Sequence, residues 1–134
     1  MECVYCHGRT NVVNSRKQQK TISIWRRRVC LNCGSIFTTL EKPSLDQALR
    51  VINGAGGLSP FDHNQLFIDI YLSLGHRKSP IKDASSLADT VVQKILRENR
   101  NALVTTIYIK QLTTYTLKNF DKGAHAQYTA FYPV

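Results

Sequence analysis

The sequence predicts an α+β protein in which a small β module is followed by a mainly helical module with a short β-hairpin. Two observations predict this class. The four cysteines, the last of which is Cys33, accompany a β-branched and aromatic segment at residues 21–29, whereas apolar residues recur at helical spacing in the remainder. Pro43 separates the two patterns, because a proline disfavours helical geometry in the residue before it. We therefore expect domains at residues 1–44 and 45–134.

The composition is that of a globular and strongly basic protein. Of its 134 residues, 43% are hydrophobic and 20% are charged, and the formal net charge is +9. Residues 1–42 carry most of the excess, with eight basic and two acidic residues. Such an excess favours a polyanionic partner over a neutral metabolite.

Two further features of the sequence bear on where the protein acts. No uncharged run reaches the roughly 18 residues of a membrane-spanning helix. The N-terminus has neither the basic nor the apolar region of a secretory signal. We therefore expect a cytoplasmic protein without a membrane partner, and neither a large multidomain enzyme nor a membrane protein.

The cysteines form two pairs, Cys3-x-x-Cys6 and Cys30-x-x-Cys33, at a spacing typical of a structural zinc site. Two disulfides are a less favoured alternative in a reducing cytosol, and a redox CxxC normally occurs singly beside a βαβ pattern. His7 could replace one ligand, although four cysteines already saturate zinc. A zinc ion held by four thiolates has no open position for water, so hydrolytic catalysis is not expected.

Residues 21–29 predict a strand that presents three consecutive arginines on both of its faces. Successive residues of a strand point to opposite faces, so Arg26 and Arg28 share one face and Arg27 shares the other with Trp25. The planar guanidinium group suits phosphate oxygens and guanine edges, which favours nucleic acid over the alternative of a merely solvated basic surface. The candidate nucleic-acid contacts are Arg16, Lys17, Trp25, Arg26, Arg27 and Arg28.

The C-terminal module is predicted to begin with a hairpin. An apolar strand at residues 48–52 is followed by a glycine-rich turn at 54–57 and a returning segment at 58–61. A phosphate-binding loop is the alternative for the glycines. No Gly-Lys-Ser/Thr and no GxGxxG is present, so a turn that uses glycines for positive φ is favoured.

Four helices are predicted after the hairpin, over about residues 62–74, 83–97, 106–120 and 124–132. Asp62 is the expected cap of the first helix, and Gly123 is expected to follow the third. The aromatic residues of the last helix are interpreted as core or interface rather than as a ligand cage. Helical spacing predicts that the inward residues include Leu66, Ile70, Leu74, Leu87, Val91, Ile95, Ile109, Leu112 and Phe120.

The first 41 residues resemble the zinc ribbon of the bacterial ribonucleotide-reductase transcriptional repressor family. The resemblance is carried by the two cysteine pairs, Ser15-Arg16, the run Arg26-Arg27-Arg28 and the segment 37–41. It implies that the ribbon binds duplex operator DNA upstream of reductase genes through Arg16 and the arginine run. Two positions depart from the family pattern, since Trp25 replaces the first of four arginines and Asn14 replaces an aspartate.

The C-terminal half resembles the ATP-cone that follows the ribbon in the same repressors. The matching residues in family order include Phe61-Asp62, Arg77-Lys78, Ile109, Leu112, Asp121, Tyr128 and Tyr132. The resemblance implies a domain that binds ATP or dATP and changes oligomeric state, and hence a homo-oligomer. The nucleotide motif is degenerate, because Asn53-Gly54-Ala55-Gly56 replaces Lys-Arg-Asp-Gly and Gln65 replaces a basic residue. The candidate nucleotide contacts are Arg50, Val51, Asn53, Gly56, Phe61 and Gln65.

These features leave three functions to compare. The first is a zinc-dependent DNA-binding regulator, in which the cone-like domain sets the oligomeric state. The second is a protein-interaction adaptor, whose ribbon and cone-like domain dock on a partner such as a reductase subunit without sensing nucleotide. The third is an enzyme, which the absence of GxSxG, HExxH and a Walker lysine disfavours, so no catalytic residues are expected.

Overall fold

The computed structural model describes residues 1–133, and the chain divides into two compact units, Met1–Pro43 and Ser44–Val134. The first unit is a small β-sheet with the cysteines, and the second is mostly helical with a small sheet of its own. The predicted α+β class is therefore confirmed. The boundary between the units lies one residue earlier than the expected 44/45 division.

The N-terminal unit is an antiparallel sheet of β1 (Thr10–Lys17), β2 (Ile24–Cys30) and β3 (Ile36–Glu41), with β2 in the centre. The predicted strand at 21–29 begins three residues late. Thr21 and Ser23 belong instead to the loop between β1 and β2, in which the Gln18 N–H donates to the Ser23 carbonyl at 3.0 Å. The Thr21 hydroxyl donates to the Gln18 side chain at 3.0 Å, so side-chain bonding competes with the ladder there.

The C-terminal unit begins with a short helix and a hairpin. A third strand, parallel to the first strand of the hairpin, completes a sheet of order β5-β4-β6. Neither the short helix nor β6 was predicted, because each has fewer residues than a periodic pattern requires. The elements are α1 (Leu45–Ala48), β4 (Arg50–Ile52), β5 (Leu58–Pro60), α2 (His63–Tyr71), α3 (Pro80–Glu98), β6 (Leu103–Thr105), α4 (Thr106–Phe120) and α5 (Lys122–Phe131).

Three of the four predicted helices differ from the structure at an end, whereas α4 spans the predicted residues. The α2 helix ends at Tyr71, since Leu74 N–H bonds to the Tyr71 carbonyl in a tighter turn. The α3 helix starts at Pro80 rather than Asp83, because the first helical position needs no N–H donor. The α5 helix starts at Lys122, so Gly123 lies in its first turn instead of ending α4.

The core of the C-terminal unit lies between the four long helices and the small sheet. The predicted inward residues of α2 and α3 are buried, and Ile109 and Leu112 pack against the core. The prediction that Phe120 points inward was wrong, because Phe120 is 40% exposed and Leu117 is the buried residue of this turn of α4. Tyr128 is buried, Tyr132 packs partly against the core and Phe131 is exposed. Within residues 1–133 no helix is long and apolar enough to cross a membrane.

Candidate metal centre and nucleic-acid interface

The four cysteines of the N-terminal unit meet at one point. Their sulfur atoms all lie within 4.8 Å of one another. The Cys3 and Cys33 sulfurs are 3.8 Å apart, and those of Cys6 and Cys30 are 3.4 Å apart. A tetrahedral zinc site with Zn–S bonds of about 2.3 Å places its sulfurs about 3.8 Å apart, so the four thiols fit this ion with little rearrangement.

Hydrogen bonds from the backbone and from one side chain favour the thiolate form of the cysteines. The Tyr5 N–H donates to Cys3 Sγ at 3.4 Å, and the Asn32 N–H donates to Cys30 Sγ at 3.3 Å. A hydrogen bond with the Ser35 hydroxyl, at 3.2 Å, lowers the pKa of the Cys33 thiol to about 6. A metal ligand must be deprotonated, and these contacts stabilise the charged form.

The two cysteine loops pack closely against each other. A Cβ atom on Gly8 would lie 2.8 Å from the Asn32 Cβ and 3.3 Å from Cys6 Sγ, so only glycine permits this approach. His7, the alternative ligand, is exposed with a φ of 65°. It does not belong to the cluster of potential metal ligands, which consists of the four cysteines. The core around the site consists of Cys3, Cys30 and Phe37, which is too small to fold the unit by itself. Binding of zinc would therefore supply much of its folding free energy.

The two faces of the sheet in this unit carry different side chains. Residues directly opposite each other on neighbouring strands lie on the same face. Trp25 is opposite Arg16 and Leu40, and Arg27 belongs to the same side because it lies two residues further along β2. We call this the Trp25 face. The opposite side, which we call the Arg26 face, carries Arg26 and Arg28 together with Lys17, Glu41 and the buried Phe37.

Arginines of the Arg26 face are bound within the unit. Arg26 Nη1 lies 3.1 Å from a carboxylate oxygen of Glu41. Arg28 is half-buried and donates to the Thr10 hydroxyl at 3.3 Å, and its Nε is buried without a hydrogen-bond partner in residues 1–133. An open groove of about 700 Å³ on this face has Arg26 and Glu41 in its lining.

On the Trp25 face the arginines remain available. Arg27 is exposed, and its guanidinium carbon lies 5.5 Å from the centre of the Trp25 ring. Arg16 is also exposed, and in the described part of the chain neither arginine forms an ion pair. Lys17 is exposed too, but its position opposite Ile24 places it on the other face. The sequence did not identify Glu41 as the partner of Arg26, because strand pairing alone brings them together.

The candidate nucleotide contacts of the C-terminal unit are not all gathered at one cavity. A cavity of about 200 Å³ beside β4 and α2 is lined by Val51, Phe61 and Gln65, whereas Arg50, Asn53 and Gly56 are not part of its lining. Its charged lining residues are Asp62, Asp69 and Lys110. The sequence analysis did not identify Asp69 as a residue of this cavity. Its position four residues after Gln65 on a predicted helix could have indicated the contact between the two side chains.

Comparisons with known proteins cover nearly the whole chain. The family model described as "Transcriptional repressor NrdR-like, N-terminal domain" matches residues 1–41. Transcriptional repressor NrdR 3 of Paramagnetospirillum magneticum is 33% identical over 98% of this chain and 86% of its own length. Transcriptional repressor NrdR of Rhodospirillum centenum is 34% identical over 98% of this chain and 85% of its own. The corresponding protein of Heliobacterium modesticaldum is 30% identical over 98% and 86%.

Proposed function

Because the chain belongs to the NrdR family of transcriptional repressors, we propose that it represses ribonucleotide reductase genes by binding duplex operator DNA through its zinc ribbon. The observation that carries this proposal is the free arginine pair of the Trp25 face. Exposed guanidinium groups without acidic partners can neutralise DNA phosphates and donate to guanine edges. The family and this surface both favour a regulator over an enzyme.

The proposal assigns different tasks to the two faces of the sheet. Arg27 has its guanidinium carbon 5.5 Å from the centre of the Trp25 ring, and this contact restricts its side chain, which lowers the entropic cost of binding DNA. Arg16 lies opposite Trp25 on β1 and extends the same basic surface. Arg26 and Arg28 would stabilise the sheet, because their donors are directed to Glu41 and Thr10. Zinc would fix the register of all three strands.

The helical unit would assemble the repressor into a homo-oligomer. Ile68 and Tyr71 lie on one side of α2, Leu72 is the residue that ends this helix, and the three are between 37% and 55% exposed. Neighbouring apolar side chains of this size are typical of a surface that is covered by another protein chain. A second copy is the partner we propose, since a dimer presents two ribbons to a duplex and gains affinity from both.

A salt titration of duplex DNA tests the proposal. The zinc-loaded protein is titrated against a reductase promoter fragment and a scrambled duplex of equal length and composition. We expect tighter binding to the promoter and a logarithmic affinity that falls steeply with salt, because counterions are released from the phosphates. Equal and weak binding to both duplexes would rule out the repressor proposal. A protein partner captured in its place would favour the adaptor function.

A further inference from the structure

We infer that the C-terminal unit does not bind a nucleoside triphosphate at its hairpin and cavity, so that adenine nucleotides do not control this repressor. The second clause rests on the proposed function, whereas the first is a statement about binding alone. The cone-like fold implies a nucleotide here, but the polar groups around the hairpin are directed to one another. Three observations on the turn, the cavity wall and the cavity volume carry the inference.

The turn of the hairpin uses its own N–H groups. Asn53 Oδ1 accepts hydrogen bonds from the backbone of Ala55 at 3.0 Å and of Gly57 at 2.9 Å. The Gly56 N–H donates to the Asn53 carbonyl at 3.0 Å, and the Asn53 N–H donates to the Gly57 carbonyl at 3.0 Å. A phosphate held by a glycine-rich turn needs such N–H groups free and aimed at it. Here four of them already have partners.

Polar groups of the cavity wall are likewise paired with each other. The Gln65 side-chain amide donates to Asp69 Oδ1 at 2.8 Å, and the Tyr132 hydroxyl donates to the same oxygen at 2.9 Å. Asp62 accepts the Gln65 N–H at 3.1 Å as the cap of α2. Two carboxylates therefore line the cavity with a single cation, Lys110. This charge balance repels a triphosphate, which needs several cationic donors.

The cavity is also small. Its volume of about 200 Å³ falls below the roughly 300–1,000 Å³ of pockets that bury a drug-sized ligand, and ATP is a ligand of that size. Enlarging it would require separating Tyr132 from Asp69 or moving Tyr128, which is buried in the core. The small volume of the cavity and the charges of its lining thus both disfavour a nucleoside triphosphate.

Equilibrium dialysis of the full-length, zinc-loaded protein with ATP or dATP and Mg²⁺ tests the inference directly. We expect no saturable binding up to about 1 mM nucleotide. Saturable binding to the wild type with a dissociation constant below about 1 mM would overturn the inference. This outcome does not depend on DNA, so it is separate from failure of the proposed function.

A variant with the family's charges restored sharpens the test. It combines Asn53→Lys, Gly54→Arg, Ala55→Asp and Gln65→Lys. A Cβ atom on Gly54 would meet nothing beyond its chain neighbours within 4 Å, so the turn has room for the arginine. A control, Gln47→Lys with Asn119→Lys, adds the same net charge at two exposed sites outside the cavity lining.

We expect the restored variant to bind dATP at least about tenfold more tightly than this control. Equal dissociation constants for the two variants would contradict the argument that the missing charges at these four positions prevent dATP from binding. Helical circular dichroism and zinc content confirm that each variant is folded. In the promoter titration, wild-type DNA affinity should be unchanged by dATP. A dATP-dependent change in wild-type affinity would overturn the regulatory clause even where promoter binding itself is confirmed.

Discussion

The metal centre and Trp25 face of the N-terminal unit direct their polar groups differently from the hairpin and cavity of the C-terminal unit. In the N-terminal unit, four thiols converge on a point suited to an ion, and Arg16 and Arg27 are exposed and form no ion pair with any residue from 1 to 133. In the C-terminal unit, Asn53 closes its own turn and Asp69 receives hydrogen bonds from two side chains. Free groups suit a unit that binds partners, and paired groups suit a unit that holds itself together.

This difference extends to the source of stability. The N-terminal core comprises only two cysteines and Phe37 with Cys6 against them, whereas the C-terminal core draws side chains from all its long helices. Apolar burial can stabilise the second unit by itself but not the first. The units should therefore respond independently to metal removal, core substitution and acid.

Loss of the metal should have the largest effect and should be confined to the N-terminal unit. Structural zinc supplies an apparent folding free energy of about 10–16 kcal/mol in small zinc modules. Cys30→Ser, or chelation of the wild type, should unfold the sheet and abolish DNA binding while the helical unit keeps its thermal midpoint. Zinc analysis, NMR of the sheet amides and circular dichroism provide the measurements.

His7→Asn is the control for the metal experiment, because His7 adjoins Cys6 and asparagine tolerates its positive φ. This variant should retain zinc and DNA binding. Loss of zinc from His7→Asn would contradict the ligand set of four thiols. A helical unit that melts together with the sheet would contradict the independence of the two units.

Truncation in the helical core should produce the reverse pattern. Ile70 is fully buried on α2, and Ile70→Ala should destabilise the C-terminal unit by about 2–5 kcal/mol, because it leaves a cavity in a packed core. Ile81→Ala is the control, since Ile81 is 65% exposed and its truncation should change stability by less than about 0.5 kcal/mol. Urea denaturation followed by helical circular dichroism measures both, and zinc content should be normal in each. Equal destabilisation by the two substitutions would contradict the described core.

Within the N-terminal unit, neighbouring arginines should differ in their effect on DNA binding. Arg27→Ala should weaken promoter binding about five- to 150-fold, or by about 1–3 kcal/mol, because its guanidinium is free to reach the duplex. Arg26→Ala should weaken binding less, since that side chain is engaged with Glu41 on the other face. Fluorescence anisotropy at several salt concentrations gives both affinities. The same loss in both variants would refute the assignment of the Trp25 face.

The sequence predicted those parts of the molecule that depend on local spacing. Two cysteine pairs at the spacing of zinc knuckles predicted the metal centre, and α4, which Thr105 caps, spans the predicted residues. Features that depend on the pairing of strands distant in sequence were not predicted. The strands β1 and β3 were not delimited, so the contact between Arg26 and Glu41 could not be foreseen.

Errors at helix ends have a similar origin. Gly123 was expected to follow α4 as a terminator, but Asp121 ends that helix and also caps α5. Two adjacent helices thus share one residue, and the second helix continues through the glycine. Phe120 was expected inward by spacing, yet it lies on the exposed side, 4.6 Å from the Arg77 guanidinium. The local cap by Asp121 decided the first outcome, and the tertiary contact with Arg77 accompanies the second.

Acid should produce the smallest effect, and it should act on the C-terminal unit through Asp121. The Ala124 N–H donates to this carboxylate at 3.0 Å and His76 Nε2 lies 3.1 Å away, and these contacts lower the pKa of Asp121 from 3.8 to about 2. A carboxylate with a lowered pKa in the folded state stabilises that state above its ordinary pKa. Its contribution should disappear as the pH falls from about 3.8 to about 2.

Asp121→Asn tests this contribution because asparagine keeps the cap of α5 but cannot ionise. The wild-type thermal midpoint of the helical unit should exceed that of the variant at pH 6, and the difference should shrink towards pH 2. Matching midpoints at pH 6 would show that the charge on Asp121 contributes nothing. A shrinking difference would show that the ionised Asp121, which lies between His76 and the start of α5, stabilises the helical unit.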